Sequence, residues 1–310
     1  MQKTLNSSVC FSGVGLHTGK RVNLTIQPAD EDFGIWFCRT DIKRTPTQET
    51  MIPALWSAVE PSELCTKLGN ASGVGVSTIE HLMAALSGCG VHNALIELDA
   101  PELPILDGSA VPFVRKIMEC GVRTLDRPVL AMKVMKAVRV STADAFAMLA
   151  PSASLHIDFH IDFSDVAIGQ QTKSLSMNNG AFVRELSDSR TFCRKVDVEK
   201  MLASGLALGG TPGENAVVFD GSDVISPGGL RHVDEPVRHK MLDAIGDLAL
   251  AGGPLLGHYT GYRAGHALTN TLLRKLFSIP GAVEKVPCDH ISGANLPGVD
   301  LRLDEIPANV

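Results

Sequence analysis

The feature of this sequence that most constrains its fold is a pattern that occurs twice. HLMAALSGCGVHNALIEL, from His81, and HKMLDAIGDLALAGGPLLGHYTG, from His239, each contain a helical pattern, a glycine stop and an apolar strand. A loop and a second amphipathic helix follow each copy. Because a repeated unit can bury its apolar face against its neighbour, the repetition predicts an α+β protein made of two copies. A site between two such copies can draw residues from both.

Local patterns place the main elements of each copy. Strand-like runs open the first half in SVCFSGVGL, RVNLTIQPA and FGIWFCR, and they open the second half in VLAMKVMKAVRV, AFAMLAP and LHIDFHIDF. In the first copy we predict helices at Thr78–Ser87 and Val111–Glu119 and a strand at Asn93–Leu98. In the second we predict helices at Ala181–Leu186 and Glu235–Ala251, a strand in PLLGHYTGY and a helix in HALTNTLLRKLFS.

The boundary between the two units falls at Leu125-Asp126-Arg127-Pro128, which reads as a linker. We therefore expect an N-terminal α+β domain at residues 1–126 and a C-terminal α+β domain at residues 127–310. Cys193–Ser226 has no counterpart in the first half. It contains the small and apolar run LASGLALGGTPGEN, which indicates an insert on the second unit.

Composition excludes several classes of function. The net charge is −6 and aromatic residues make up only 5% of the chain, so we expect no nucleic-acid surface. Seven scattered cysteines without a CxxC pair favour reduced thiols over a disulfide framework. The sequence shows neither a signal-peptide pattern nor an apolar run of membrane-spanning length. We expect a cytoplasmic protein without a transmembrane segment.

The strongest chemical pattern lies in the predicted helix between Pro236 and Gly252-Gly253. His239, Asp243 and Asp247 recur every four residues, so their side chains share one stripe of a helix that is otherwise largely apolar. An imidazole and two carboxylates are costly to bury unless a partner satisfies them, and a divalent cation is one such partner. The alternative is a helix stabilised by i,i+4 pairs such as His239 with Asp243.

Glu80 and His81, in STIEHLMAAL, also have two interpretations. Ser77 and Glu80 fit the spacing of a capping box, in which Glu80 only caps the helix and His81 is a polar first-turn residue. In the functional interpretation His81 is a metal ligand and Glu80 is the general base beside it.

A third histidine-rich pattern competes with these. In LHIDFHIDF the side chains of His156, Asp158, His160 and Asp162 share one face of a strand, and their chemistry suits a metal. An antiparallel strand with one solvated face shows the same alternation. We therefore expect a polar face here and no metal.

Two further stretches each have two interpretations on the residues alone. His266 lies where a strand gives way to a helix, either as a cap or as an imidazolium that a carboxylate such as Asp247 stabilises. The glycine-rich GVGLHTGK, which contains His17, suits either a phosphate ligand or an ordinary hairpin, and we expect the hairpin.

Six blocks in order carry a resemblance to a known family: GVGLHTGK, STIEHLMAAL, PILDGSAVPFV, SRTF, VRHKMLDAIGDL and GHALTN. Together they resemble the UDP-3-O-acyl-N-acetylglucosamine deacetylases, the zinc amidases of bacterial lipid A biosynthesis. The resemblance covers nearly the whole chain and weakens in Thr40–Ser57 and after about Val286. It implies two repeated βααβ-type domains packed face to face, each with an insert, and an acyl passage formed by the second insert.

Position by position, the resemblance also implies a site. The metal ligands implied are His81, His239 and Asp243, with one Zn²⁺ per chain and Fe²⁺ as the alternative ion in the cell. Glu80 is implied as general base, His266 as general acid or electrostatic partner, Asp247 as the residue that orients His266, and Thr191 as the oxyanion donor. Lys240 is implied as a catalytic and substrate-contacting residue, Phe192 and His17 as further substrate contacts, and Asp107 as a supporting polar residue.

The resemblance further implies the reaction, the partner and one departure. The implied reaction releases acetate from a UDP-linked acylated amino sugar, and we expect the enzyme to be a monomer. Ala145 stands where a basic residue is expected, so one contact to the nucleotide or sugar differs. Two other functions fit the same residues: a zinc amidohydrolase for another acylated amine, and a metal-binding scaffold without turnover.

Overall fold

The computed structural model describes residues 1–43, 47–288 and 293–308. The chain is a mixture of helices and sheets, so the predicted α+β class is confirmed. The segments in which the resemblance weakens include residues 44–46, 289–292 and 309–310, which lie outside the described part. Among the described helices, none is both long and apolar enough to cross a membrane.

The strands follow one another from the N-terminus in short segments. They are β1 (Lys3–Leu5), β2 (Val9–Val14), β3 (Arg21–Pro28), β4 (Ile35–Arg39), β5 (Met51–Pro53), β6 (Val59–Glu60), β7 (Lys67–Gly69), β8 (Gly75–Ser77), β9 (Ala94–Leu98), β10 (Val122–Thr124), β11 (Leu130–Val134), β12 (Val138–Ser141), β13 (Phe146–Pro151), β14 (His156–Asp162), β15 (Gln170–Ser176), β16 (Phe192–Arg194), β17 (Val217–Asp220), β18 (Asp223–Val224), β19 (Leu255–Tyr262) and β20 (Val283–Pro287). The α-helices are α1 (Glu80–Gly88), α2 (Val111–Cys120), α3 (Ala181–Glu185), α4 (Lys195–Ala203), α5 (Glu235–Leu248) and α6 (His266–Ser278).

Each half of the chain forms its own main sheet. In the first half the strand order is β2-β3-β9-β4-β5, and β4 and β9 are parallel. In the second half the order is β12-β13-β19-β11-β20, with β14 parallel to β19 and β15 beside β14. Strand alternation fixes which face is buried: Ile157, Phe159 and Ile161 of β14 are buried, whereas the residues between them are half-exposed.

Helices α1 and α5 pack against each other and bring the two halves together. The contact is tightest at Gly246, where a Cβ atom would lie 2.0 Å from the carbonyl oxygen of Glu80. Only a glycine permits this backbone approach, which places the first turn of α1 beside the polar stripe of α5. Twelve of the fourteen residues of α5 are buried, so its polar side chains point into the interior.

The predicted elements agree with the structure in kind and differ at their ends. Helix α1 begins at Glu80, two residues after the predicted start, and α5 ends at Leu248 and continues to Ala251 as a 3-10 turn. Gly252, with φ of 84°, stops that turn. The order helix, strand, helix occurs in both halves, as α1, β9, α2 and as α5, β19, α6. The detailed equivalence of the halves and the boundary at residue 126 remain predictions.

The predicted insert at Cys193–Ser226 contains its own small structure. Strands β16, β17 and β18 form a three-stranded sheet, and α4 connects the first two. Leu202 is 49% exposed and Leu208 is 56% exposed, so both side chains present apolar area to solvent, and the acyl passage remains a prediction.

Candidate metal centre and active site

Three potential metal ligands from two helices meet between the two halves. His81 lies in the first turn of α1, and His239 and Asp243 lie one turn apart in α5. Oδ1 of Asp243 is 3.6 Å from Nε2 of His81 and 3.3 Å from Nε2 of His239. Ligands of a tetrahedral zinc, with bonds of about 2.0–2.2 Å, lie about 3.3–3.6 Å from one another. The three donor atoms therefore have the spacing that such an ion requires.

The hydrogen bonds of this group leave one buried atom without a partner. Oδ1 of Asp243 is buried and accepts no hydrogen bond within the described chain, whereas Oδ2 accepts one from Nζ of Lys240 at 2.7 Å. Nδ1 of His239 lies 3.0 Å from the carbonyl oxygen of Ser189, so this nitrogen is the donor and Nε2 has a free lone pair. An orphaned carboxylate oxygen between two imidazole nitrogens fits a divalent cation.

The electrostatics of the three residues favour the charge states that a metal needs. Burial lowers the pKa of His81 to about 3, and burial also lowers the pKa of His239. Burial raises the pKa of the Asp243 carboxyl, but the neighbouring His239 and Lys240 hold it well below its usual range. Both imidazoles are therefore neutral and the carboxylate is ionised near neutral pH.

A second group of acid–base residues lies beside the three ligands. His266 is the first residue of α6, and its Nδ1 is 2.8 Å from Oδ2 of Asp247. Its other nitrogen, Nε2, points to Glu80 at 3.8 Å and to Asp243 at 3.9 Å. The carboxylate that the sequence suggested as a partner for His266 thus lies next to it.

The charges of this second group depend on one another. Burial raises the pKa of Glu80 to about 7, although the neighbouring His266 opposes this. Burial lowers the pKa of His266, but the carboxylates of Asp247 and Glu80 outweigh it and raise the pKa to about 9. A base that titrates near 7 beside an acid that titrates near 9 is suited to proton transfer at neutral pH.

The capping-box interpretation of Glu80 is wrong. Helix α1 has Ile79 at its N-cap and no side-chain cap. Both the amide and the hydroxyl of Ser77 donate to the carbonyl of Pro101. Glu80 Oε2 accepts a hydrogen bond from the amide of Thr66 at 3.0 Å, and its side chain is directed towards His266. Thr78 has φ of 58°, which bends the chain away from capping geometry.

Thr66 is a site residue that the sequence did not reveal. Its amide binds Glu80, and its hydroxyl donates a short hydrogen bond to Oδ1 of Asp247. The residue is 4% exposed, so both bonds are shielded from water. It lies in a polar stretch with no recognisable periodicity, and only the tertiary structure places it between the two carboxylates.

The loop that contains His17 connects β2 and β3, so the hairpin interpretation is confirmed. Glu102 holds the loop: its carboxylate accepts hydrogen bonds from the amides of His17 and Thr18 and from the hydroxyl of Thr78. Nδ1 of His17 is buried and has no hydrogen-bond partner in the described residues. The amide of Gly209, from the insert, donates to the loop at Leu16, so loop and insert are in direct contact.

The remaining predicted residues make the following contacts. Thr191 is anchored by its backbone, which pairs with Gly108 and with Val217. The Phe192 ring lies 6.3 Å from the His239 ring. Asp107 accepts a hydrogen bond from Arg231 at 3.0 Å and one from the hydroxyl of Ser109. It therefore joins the loop before α2 to Arg231, and its supporting role stays a prediction.

The polar face of β14 divides into two parts. His156 and Asp158 lie beside His258 of β19, and these three could together hold a metal ion. His160 instead binds the hydroxyl of Thr172 and stacks on Tyr262. Asp162 lies 3.9 Å from Arg263. The face is half-exposed, as a solvated face should be, but His258 was not part of the predicted pattern.

A basic side chain lies close to the position of Ala145. Arg263, with φ of 51°, pairs with Asp144 at 3.4 Å. Ala145 itself closes the turn between β12 and β13 through its carbonyl, which accepts from the amide of Thr142. Arg263 is therefore the basic side chain beside this turn, and the consequence of Ala145 for substrate binding remains a prediction.

The fold and the site define an α+β protein with a candidate mononuclear metal centre and an adjacent acid–base pair. Residues 2–278 match the family model of LpxC, UDP-3-O-acyl N-acetylglycosamine deacetylase. The UDP-3-O-acyl-N-acetylglucosamine deacetylase of Myxococcus xanthus is 47% identical over 92% of this chain and 89% of its own length. Proteins of the same name from Shewanella sp. and Phenylobacterium zucineum are 45% and 46% identical, over 92% and 91% of this chain and 92% and 94% of their own lengths. The chain belongs to this deacetylase family.

Proposed function

We propose that this protein hydrolyses the N-acetyl group of UDP-3-O-acyl-N-acetylglucosamine with a divalent metal ion, releasing acetate and the free amine in lipid A biosynthesis. The observation that supports this most directly is the buried, unpartnered Oδ1 of Asp243 between the Nε2 atoms of His81 and His239. Family membership supports the same reaction. We take Zn²⁺ as the resident ion, with Fe²⁺ as the alternative in the cell.

Two histidines and one carboxylate are the donor set of a catalytic zinc site that leaves a position open for water or substrate. When bound, the ion polarises the acetamide carbonyl and acidifies water. Lys240 neutralises the second oxygen of Asp243, to which it donates at 2.7 Å, and so keeps Oδ1 aimed at the ion's position. Ser189 orients His239 through its carbonyl in the same way.

Glu80 and His266 divide the proton transfers between them. Glu80 takes a proton from the attacking water, since burial keeps its pKa close to neutrality. His266 gives a proton to the departing nitrogen, because an amide nitrogen leaves only as an amine. Asp247 holds His266 by Nδ1, so the protonated Nε2 faces the same space as Glu80.

The other predicted residues bind the substrate. Thr191 donates to the oxyanion that forms when water attacks, a contribution of about 3 kcal/mol for such a donor. Phe192, Lys240 and His17 contact the substrate, His17 from the loop that Glu102 holds. The insert at Cys193–Ser226 receives the acyl chain on its apolar surface. The cytoplasmic location and the monomeric state remain expectations.

The experiment that tests this function is acetate release by wild type and by Glu80→Gln. The glutamine has the same size and can still accept the Thr66 amide, but it cannot take a proton. We expect Glu80→Gln to retain its metal and its thermal stability and to lose on the order of 10²–10⁴ in kcat. Turnover close to that of wild type would overturn the assignment of the base.

Two controls separate the proposal from its rivals. A zinc amidohydrolase for another amine would release acetate equally well from substrates with and without the 3-O-acyl chain, whereas we expect a strong preference for the acylated one. A scaffold without turnover would bind the ion and release no acetate under any condition.

A further inference from the structure

We propose that His156, Asp158 and His258 form a second divalent metal site, on the open face of the second-half sheet. Nothing in the proposed reaction uses these residues, and the proposal reverses the expectation of a metal-free polar face because the sheet pairing adds His258 to it. The ion that fits is of the zinc class, because two imidazoles with one carboxylate suit Zn²⁺, Ni²⁺ or Cu²⁺ better than Mg²⁺ or Ca²⁺.

The sheet register brings the three side chains together. β14 and β19 are parallel, with His156 directly opposite His258, and Asp158 follows two residues later on the same face. The intervening Ile157 and Tyr259 are buried on the opposite face, where the Tyr259 hydroxyl bonds to Thr269 of α6. The cluster therefore lies across the sheet from the helices that carry the proposed active site.

The three side chains already contact one another, through hydrogen bonds in which each ring meets a different oxygen of Asp158. Asp158 Oδ1 is 3.2 Å from Nε2 of His156, and its Oδ2 is 2.7 Å from Nε2 of His258. The two rings are edge to face at 84° with centroids 4.7 Å apart, against 88° and 5.0 Å for His81 and His239. All three ligand atoms lie within 4.8 Å of one another, so small side-chain rotations bring them to the spacing of zinc ligands.

Neighbouring hydroxyls prepare the site. Nδ1 of His156 is 3.0 Å from the hydroxyl of Ser176, which directs Nε2 of the ring towards Asp158. The hydroxyl of Ser174 is 3.0 Å from Nε2 of His156 and offers a further polar group beside the ion's position. All three ligand side chains are between 29% and 38% exposed, so the site is open to solvent and exchanges its ion more readily than the buried centre.

A bound ion would connect two strands that are about one hundred residues apart in the chain, and it would stabilise the fold by mass action as free metal rises. The test compares wild type with His258→Gln, and it uses His160→Gln as the matched control. His160 lies on the same strand face but binds Thr172 and lies outside the cluster. Asp158→Asn, which keeps the side-chain size, is the second variant.

Each protein is stripped of metal, dialysed against buffered micromolar Zn²⁺ and analysed for zinc. Thermal melts are recorded before and after the zinc is added. We expect wild type and His160→Gln to bind one more equivalent than His258→Gln and Asp158→Asn, and to gain more thermal stability from zinc. Equal zinc content in all four proteins would overturn the proposal and leave a hydrogen-bonded polar cluster. The centre formed by His81, His239 and Asp243 is the same in all four proteins, so its occupancy cancels from the comparison.

Discussion

The hydroxyl of Thr66 donates a hydrogen bond to Asp247, which lies 181 positions later in the chain. The same residue donates its amide to Glu80, so one buried threonine holds both the proposed base and the carboxylate that orients the proposed acid. We infer that Thr66 is a positioning residue that fixes the two carboxylates relative to each other.

Replacing Thr66 with valine tests this role. The substitution keeps the shape and the amide and removes only the hydroxyl, at a cost of about 1–3 kcal/mol in unfolding free energy for the buried carboxylate that loses its donor. We expect kcat to fall by roughly tenfold or more with metal content unchanged. Thr66→Ser restores the hydroxyl and should recover activity. Equal kcat for the valine and serine variants would show that the hydroxyl does not matter.

The pH dependence of activity should depend on Asp247. Activity requires ionised Glu80 and protonated His266, whose pKa values of about 7 and about 9 predict a bell-shaped profile of kcat/KM between them. Each of the two apparent pKa values of the profile describes the coupled pair of Glu80 and His266 and not a single residue. A bound cation lowers the apparent pKa on the acidic side.

Asp247→Asn removes a charge that raises the pKa of His266, so His266 loses its proton at a lower pH than in wild type. The alkaline limb of the profile should therefore move towards lower pH, and the acidic limb should move in the same direction because Asp247 also raises the pKa of Glu80. An alkaline limb that stays in place, or moves upward, would contradict the assignment of His266 as the acid.

The exposed apolar surface of the insert predicts how the acyl chain affects the rate. Leu202→Ser removes apolar area that the acyl chain would cover. The loss of binding free energy is about 0.8 kcal/mol for each methylene that is no longer buried. We expect kcat/KM to fall several-fold for the 3-O-acyl substrate and to stay unchanged for a substrate without the chain. Val233→Ser, at a residue outside the insert that is 89% exposed, serves as the control. A matching loss for both substrates would place Leu202 in folding or chemistry instead of acyl binding.

Much of the fold could be predicted from periodicity and glycine stops, because these act locally. The stripe of His239, Asp243 and Asp247 followed from helical geometry alone, and so did its burial. The ends of helices were less accurate, since they depend on the non-local hydrogen bonds of residues such as Thr66 and Pro101. The capping box failed for this reason: the matching spacing of Ser77 and Glu80 says nothing about which partner each side chain meets.

The contacts between distant segments could not be predicted from the sequence. Neither Thr66 nor Glu102 belongs to a pattern, and each acquires its role from residues elsewhere in the chain. His258 is the clearest case, because strand alternation finds His156 and Asp158 but not the parallel neighbour that completes the cluster. Which residues form such a site depends on which strands pair in the sheet. The periodicity within one strand does not reveal that pairing when the strands are distant in the sequence.

Metal content measured together with acetate release in Asp243→Ala tests most directly whether His81, His239 and Asp243 hold the catalytic ion. After gel filtration in metal-free buffer, wild type should retain one tightly bound ion per chain and hydrolyse the acylated substrate. Asp243→Ala should lose both that ion and the activity, while far-UV circular dichroism shows that it is folded. A folded Asp243→Ala that retains the full equivalent of metal and releases acetate at the wild-type rate would contradict the account.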